Sequence, residues 1–235
     1  MSDDEERDCI PSGTIIDDIL DGGFEKAMIS EVFGPAGAGK SQLLHCCAVS
    51  CIRNGHGAVL WLDTEGCFST SRIEELCENE GINAEDILPN IIVARSYTSD
   101  HQLEVIEHAY KMMANGGFGC FFIDSLTHLL RTEYSKEELF ERQTVLSRMF
   151  RRLREVSIKH DVCVVYTNQI RSVFKEEDGT LGFTAIGGNI LKHSATVRVL
   201  LTKTTKNRQA RIFDAPHLPD VSIDYRITAQ GMVQV

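Results

Sequence analysis

Residues Phe33 to Gln42 read FGPAGAGKSQ, with the apolar run MISEV before them and the helical-length run LLHCCAVSCIRNG after them. From Gly34 to Ser41 the stretch fits G-x-x-x-x-G-K-[ST] in full. A glycine-rich loop between a strand and a helix is built to hold phosphates. Its backbone N–H groups turn inward, and the helix N-terminus adds a positive dipole end. Gly34, Pro35, Ala36, Gly37, Ala38 and Gly39 would form the cradle, with Gln42 just inside the helix. Lys40 would neutralise the β- and γ-phosphates of a nucleotide and Ser41 would ligate Mg²⁺. This local unit commits the chain to an α/β architecture.

The rest of the chain repeats that alternation. Short apolar runs at Ala27–Phe33, Ala58–Glu65, Ile91–Ser96, Cys120–Ser125 and Val162–Gln169 read as buried strands. Between them, Ser41–Arg53, Ser71–Glu80, Asp100–Asn115 and Glu137–His160 have helical length and period. Ser71 with Glu74 three residues on reads as a capping box. One side of the longest helix carries Leu139, Val145, Leu146, Met149, Leu153 and Val156. From Thr196 onward, TVRVLLT, ARIFDA, VSIDYRIT and GMVQV read as antiparallel strands. Continuous apolar strands alternating with helices predict a mostly parallel central sheet covered on both faces. Residues 1–10 read as an acidic, flexible N-terminus and 11–235 as a single ATPase-type domain.

In such a sheet, ligands bind beyond the carboxyl ends of the strands. Polar residues at those ends are therefore candidates. Asp124 ends CFFID, where it can hold Mg²⁺ through the water shell, or cap the next helix. Glu65 ends AVLWLDTE with Asp63 two residues before it, and either carboxylate could orient an attacking water. Glu65 is the preferred assignment. Gln169 ends VVYTNQ, where an amide can sense the γ-phosphate and signal into the next loop.

A net charge of −10 argues against a protein coated in base for duplex DNA. A few Lys or Arg on one loop can still contact a nucleic-acid backbone. No apolar run reaches the roughly 18 residues of a membrane span, and MSDDEERD has no apolar core of the kind a signal peptide needs. The eight cysteines form no C-x-x-C pair, so buried free thiols are expected rather than a zinc site.

The stretches GPAGAGKSQ, WLDTEGCF, SDHQ, FFIDSLTHLLRTEYS, VVYTNQI, IGGNILKHSATVRVLL and IFDAPHLPD together resemble the RecA-like recombinases, closest to the eukaryotic and archaeal branch with its paralogues. The resemblance runs from about Pro11 to the C-terminus. It implies ATP held with Mg²⁺ between neighbouring subunits by Lys40, Ser41 and Asp124. Glu65 is then the catalytic carboxylate and Gln169 the γ-phosphate sensor. Arg72 matches the arginine lying over the adenine. Asp214–Pro219 resembles the segment that caps an adjacent subunit's ATP, and His193 a residue that reaches a neighbour's γ-phosphate. Thr132–Glu141, with Arg131 at its edge, and Arg171–Gly187, with Arg171 and Lys175, align with two DNA-binding loops. Ala109 and Met112, after SDHQ, resemble a surface that receives a neighbour's Phe-x-x-Ala tether, although Lys111 stands where that family favours a small residue.

The resemblance also has departures. The chain is expected to begin at the ATPase core, without the family's helical N-terminal domain and tether. The letters FEKA at Phe24–Ala27 read as core, not as a tether. The first DNA loop is short and acidic, and the second carries Glu176, Glu177 and Asp178 beside its cations. Tight binding of single-stranded DNA is not expected of such loops. The resemblance thus implies a short recombinase paralogue in homologous recombination repair, resident in the nucleus. Its partners would be the recombinase or another paralogue, with slow ATP hydrolysis unless a partner completes the site. Two alternatives stand beside it: a strand-exchange recombinase in its own right, and a nucleotide-gated structural partner without turnover.

Overall fold

The computed structural model describes residues 8–174, 181–185, 194–203 and 207–235, with the backbone alone for 171–174 and 181–185. Lys175 and His193 lie outside the described residues.

Nine strands form one sheet in the order β13-β12-β11-β10-β3-β7-β6-β4-β5. In chain order they are β3 (Ile29–Phe33), β4 (Ala58–Asp63), β5 (Ile91–Arg95), β6 (Phe118–Asp124), β7 (Cys163–Asn168), β10 (Val197–Lys203), β11 (Arg208–Asp214), β12 (Ser222–Thr228) and β13 (Gly231–Gln234). Strands β10, β3, β7, β6, β4 and β5 run parallel. Strands β11, β12 and β13 add antiparallel at one end. The fold is therefore the expected mostly parallel sheet with antiparallel C-terminal strands. One assignment changes. TVRVLLT, read as one of the antiparallel strands, forms β10 and runs parallel to β3, pairing antiparallel only with β11. The chain from the end of β7 to the start of β10 is long enough to return to the other end of the sheet, which a parallel pairing needs.

Two pairs stand apart from the main sheet: β1 (Cys9–Ile10) with β2 (Phe24–Glu25), and β8 (Ile170–Phe174) with β9 (Leu181–Ala185). Cys9 and Ile10 were expected in the flexible N-terminus. Ile10 is instead fully buried opposite Phe24, so these two residues belong to the folded part. Phe24 itself is buried, in keeping with its reading as core.

Helices cover both faces. Helices α1 (Lys40–Arg53), α2 (Thr70–Glu80) and α3 (Ala84–Ile87) pack on one. Helices α4 (Ser99–Met113) and α6 (Leu139–His160) pack on the other, with the short α5 (His128–Glu133) between them. On β6, Cys120 and Phe122 face the first core while Phe121 and Ile123 face the second. Burial on both faces is why this strand reads as an unbroken apolar run. Helix α2 starts earlier than expected. Ser69, not Ser71, is the N-cap, its hydroxyl accepting the Arg72 N–H at 3.2 Å. Leu139, expected on the apolar side of α6, is half exposed because it opens the helix beyond the edge of the core.

Strand β5 is one edge of the sheet, and Ile92 on it is 41% exposed. Six cysteines are buried and free, Cys9 is half-buried and Cys67 is exposed. Burial pushes the Cys46 thiol up to about 12 and helps hold Cys47 at about 11. Under native conditions at neutral pH, thiol titration should therefore label Cys67 first and Cys9 more slowly. The other six should react only on unfolding.

Candidate nucleotide-binding site

The glycine-rich loop follows β3 at the carboxyl edge of the parallel strands and leads into α1. Two of its glycines are required, Gly34 by space and Gly39 by its backbone conformation. A Cβ on Gly34 would lie 2.0 Å from the Leu201 carbonyl oxygen of the adjacent β10. Gly39 caps α1 at φ 110°, and a Cβ there would meet Ile227 at 2.8 Å. The loop is also braced from the C-terminal strands. The buried Tyr225 hydroxyl donates to Ala38 O at 2.6 Å, and Arg208 Nε reaches Gly37 O at 3.4 Å. Nothing in the sequence marked Tyr225 for this role. It belongs to a strand whose relation to the loop is decided only by sheet order.

Lys40 Nζ donates to Gly34 O and Pro35 O, both at 3.0 Å, so its ammonium folds over the loop. Burial lowers its pKa, and Asp124 and Glu65 oppose that shift, which places both carboxylates within electrostatic reach. Asp124 ends β6 and is 3% exposed. Its Oδ1 accepts from Thr167 Oγ1 at 2.5 Å, while its buried Oδ2 has no hydrogen-bond partner. Burial raises its pKa, and the Thr167 hydrogen bond and the nearby Ser41 hydroxyl work against the rise. A buried carboxylate oxygen left open beside a serine hydroxyl at a phosphate loop fits a hard divalent cation. Ser41 and Asp124, far apart in sequence, are thus brought together as a Mg²⁺ site requires.

Asp63 and Glu65 divide the roles that the sequence left between them. Asp63 is buried, and its carboxylate accepts the N–H groups of Glu65, Gly66, Cys67 and Phe68 at 2.7–3.2 Å. It is consumed in shaping the turn. Glu65 is carried on that turn and reaches the site, with Ser125 Oγ donating to its Oε1 and His128 Nδ1 3.9 Å away. His45 on α1 fixes the same turn from the other side. Its Nε2 accepts from Ser69 N at 3.0 Å, so Nδ1 carries the proton and donates to Ser41 O at 2.6 Å. One imidazole therefore ties the Ser41 backbone to the Glu65 turn. Asp63→Ala is expected to free four backbone donors. Turnover should drop by about tenfold or more while nucleotide affinity stays near wild type, with a stability loss of about 1–3 kcal/mol. Steady-state kinetics beside equilibrium nucleotide titration would separate the two effects.

Arg72 is held on three sides. Its Nε donates to Gln42 Oε1 at 2.7 Å, and its Nη2 and Nη1 reach Thr228 O and Ala229 O at 2.7 and 3.2 Å. Glu75 pairs with it as well. An open depression of about 460 Å³ lined by Ser71, Arg72 and Glu75 lies at this side of the loop. The guanidinium is held as a planar surface there, the geometry an adenine ring could stack on.

Gln169 follows β7, and Arg131 Nη1 donates to its Oε1 at 2.9 Å. Arg131, assigned from sequence to a DNA loop, thus stands beside the candidate γ-phosphate sensor. Arg171 lies on β8, where only the backbone is described. Ala109 is 1% exposed and packs with Ile106 and Met113 beneath α4. It can only floor a partner surface there, whereas Met112 is partly exposed.

Asp214 and Pro219 are exposed. Strand β11 runs antiparallel to β10 and ends at Asp214, level with Arg198 and so with Glu31 in the middle of β3, with the chain there heading towards the amino ends of the parallel strands. The segment after Asp214 is pinned by His217 on Glu25 and by Arg211 on Asp220 at 2.7–2.9 Å. It therefore emerges towards the amino ends of the parallel strands, opposite to Lys40.

The Rad51 family model matches residues 9–235, nearly the whole chain. This chain belongs to the Rad51 family. It is similar to DNA repair protein RAD51 of Mycosarcoma maydis, 39% identical over 230 residues, which cover 93% of this chain and 67% of the relative. DNA repair protein rhp51 of Schizosaccharomyces pombe is 38% identical, with 92% of this chain and 62% of the relative covered. Meiotic recombination protein DMC1 homolog B of Oryza sativa subsp. japonica is 36% identical, with 93% and 66% covered. The chain spans about 58–67% of the length of such curated relatives.

Proposed function

We propose that this chain is an ATP-binding recombinase paralogue that assists recombinase filaments on single-stranded DNA in homologous recombination repair. Lys40 and the loop N–H groups hold the phosphates. Ser41 and Asp124 would hold Mg²⁺, which would supply positive charge against the phosphates. Arg72 lies over the adenine, Glu65 orients the attacking water, and Gln169 reads the γ-phosphate. Residues 9–235 act as one ATPase domain, working in the nucleus.

One observation carries the reading. The phosphate loop and the Asp214–Pro219 segment sit at opposite poles of one sheet. A single copy cannot close both over one nucleotide, so a complete site needs a head-to-tail neighbour. The acid-rich loops support a helper role over tight DNA binding by this chain alone. The open edge of β5, with Ile92 exposed on it, suits an added strand from a partner recombinase or paralogue, and Met112 on α4 is a second partly exposed apolar residue. Met112→Glu tests that surface without placing a charge in the core, as Ala109→Glu would. It should abolish co-purification with a recombinase partner while leaving the melting temperature close to wild type.

The alternative reading, a strand-exchange recombinase itself, is favoured by the complete nucleotide constellation. ATP hydrolysis by the purified chain, alone and with single-stranded DNA, decides between them when assembly size is read by light scattering in the same samples. Little turnover and a small species support the helper. DNA-stimulated turnover with long assemblies would replace it with the recombinase.

A further inference from the structure

Beneath the nucleotide loop, the centre of the sheet holds a buried ion pair that the candidate site does not use. Glu31 lies on the strand that leads into Gly34 and is fully buried, with its cross-strand neighbour Arg198 only 4% exposed. Arg198 Nε donates to Glu31 Oε2 at 2.6 Å. Glu31 Oε1 accepts from Asn168 Nδ2 at 2.8 Å. Asn168 Oδ1 accepts from the Gln169 backbone N–H at 2.9 Å and from Thr127 Oγ1 at 2.8 Å. An unbroken run of hydrogen bonds therefore joins the candidate γ-phosphate sensor to Arg198 across three neighbouring strands.

On its other side Arg198 grips the start of the Asp214–Pro219 segment. Its guanidinium lies 5.0 Å from the Phe33 ring and 5.1 Å from the Phe213 ring, and the two rings meet edge-on at 5.1 Å. The register places Arg198 opposite Asp214 but Val199 opposite Ile212, so Phe213 is the extra residue of a β-bulge. A bulge re-aims the side chain and bends the strand that carries it. Here the bend is where the chain leaves the sheet for Asp214 and Pro219, and the cation–π contact holds the bulged ring in place.

We propose that Arg198, clamped by Glu31, is a positioning residue that couples the sensor end of β7 to the Asp214–Pro219 segment, so that nucleotide bound at one pole orders the segment offered to a neighbour at the other. The inference rests on the nucleotide-binding reading above. A packed ion pair with shared hydrogen bonds has few intermediate arrangements. A shift at Gln169 is therefore passed on rather than absorbed.

Amide hydrogen exchange of the full chain, with and without ATPγS and Mg²⁺, tests this. In the wild type, nucleotide should slow exchange both in the loop and early α1 (34–45) and in 211–219, by about tenfold in the latter. The variant Glu31→Gln with Arg198→Met removes both charges, keeps an acceptor for Asn168 and avoids a stranded buried ion. It should retain protection of 34–45 and lose that of 211–219. Arg198→Lys, which keeps the charge but not the planar stack, should lose most of it as well. Persistence of the 211–219 response in the double variant overturns the proposal. So does its absence in a wild type whose 34–45 segment is protected, and that result leaves nucleotide binding intact. No protection at 34–45 in the wild type defeats the nucleotide reading and this proposal together.

Discussion

Asp124→Asn is expected to raise the melting temperature of the nucleotide-free protein while weakening Mg²⁺-dependent nucleotide binding by at least about 100-fold. The two effects share one cause. Asp124 is buried, one of its oxygens has no partner, and burial raises its pKa. A carboxyl whose folded pKa lies above its unfolded value destabilises the fold at neutral pH in its charged form, and that cost fades as pH falls through the raised pKa. Asparagine keeps the acceptor for Thr167 without the charge. Relief of about 1–3 kcal/mol, at about 2–4 °C per kcal/mol for a chain of this size, gives a rise of several degrees. The advantage should shrink at acid pH, where the wild-type carboxyl is itself neutral. Differential scanning calorimetry across pH, beside nucleotide titration with and without Mg²⁺, reads both effects. A variant that melts lower than wild type at neutral pH would mean that Asp124 holds up the fold rather than the cation.

The second large effect falls on stability. Arg198→Met alone should destabilise the chain by about 3–5 kcal/mol, because it leaves Glu31 charged, buried and without its cation. Glu31 retains only the Asn168 amide, and burial already raises its pKa against the pull of Arg198. Adding Glu31→Gln should recover most of that loss, since removing both charges avoids the stranded ion. Chemical denaturation of the two single variants and the double variant gives the coupling between them. An Arg198→Met variant as stable as wild type would show that Glu31 takes up a proton at little cost.

Much of the candidate site's geometry was legible in the sequence because it is local. The loop from Gly34 to Ser41 is a contiguous motif, and Asp124, Glu65 and Gln169 each follow an apolar run. In a parallel sheet covered on both faces, polar residues at strand ends converge at one edge. The pattern alone thus brings Lys40, Ser41, Glu65 and Asp124 to the same place. Boundaries were less legible. Ser69 and Ser71 are both good caps, and only the entry path of the chain selects Ser69. β10 alternates like an edge strand in sequence, yet it lies in the sheet beside β3.

The sequence by itself determined the strand–loop–helix phosphate cradle, the α/β class and the set of polar strand ends, since each depends on near neighbours and on periodicity. Tertiary structure alone decided which carboxylate shapes the turn and which reaches the site. Asp63 and Glu65 lie two residues apart, and the fold gathers backbone donors around the first. It also decided that Tyr225 braces the loop, that Ala109 lies under its helix, and that Glu31, Asn168 and Arg198 meet. Those contacts join strands far apart in the chain, and strand order and register, which bring them together, are set by the packing of the whole sheet.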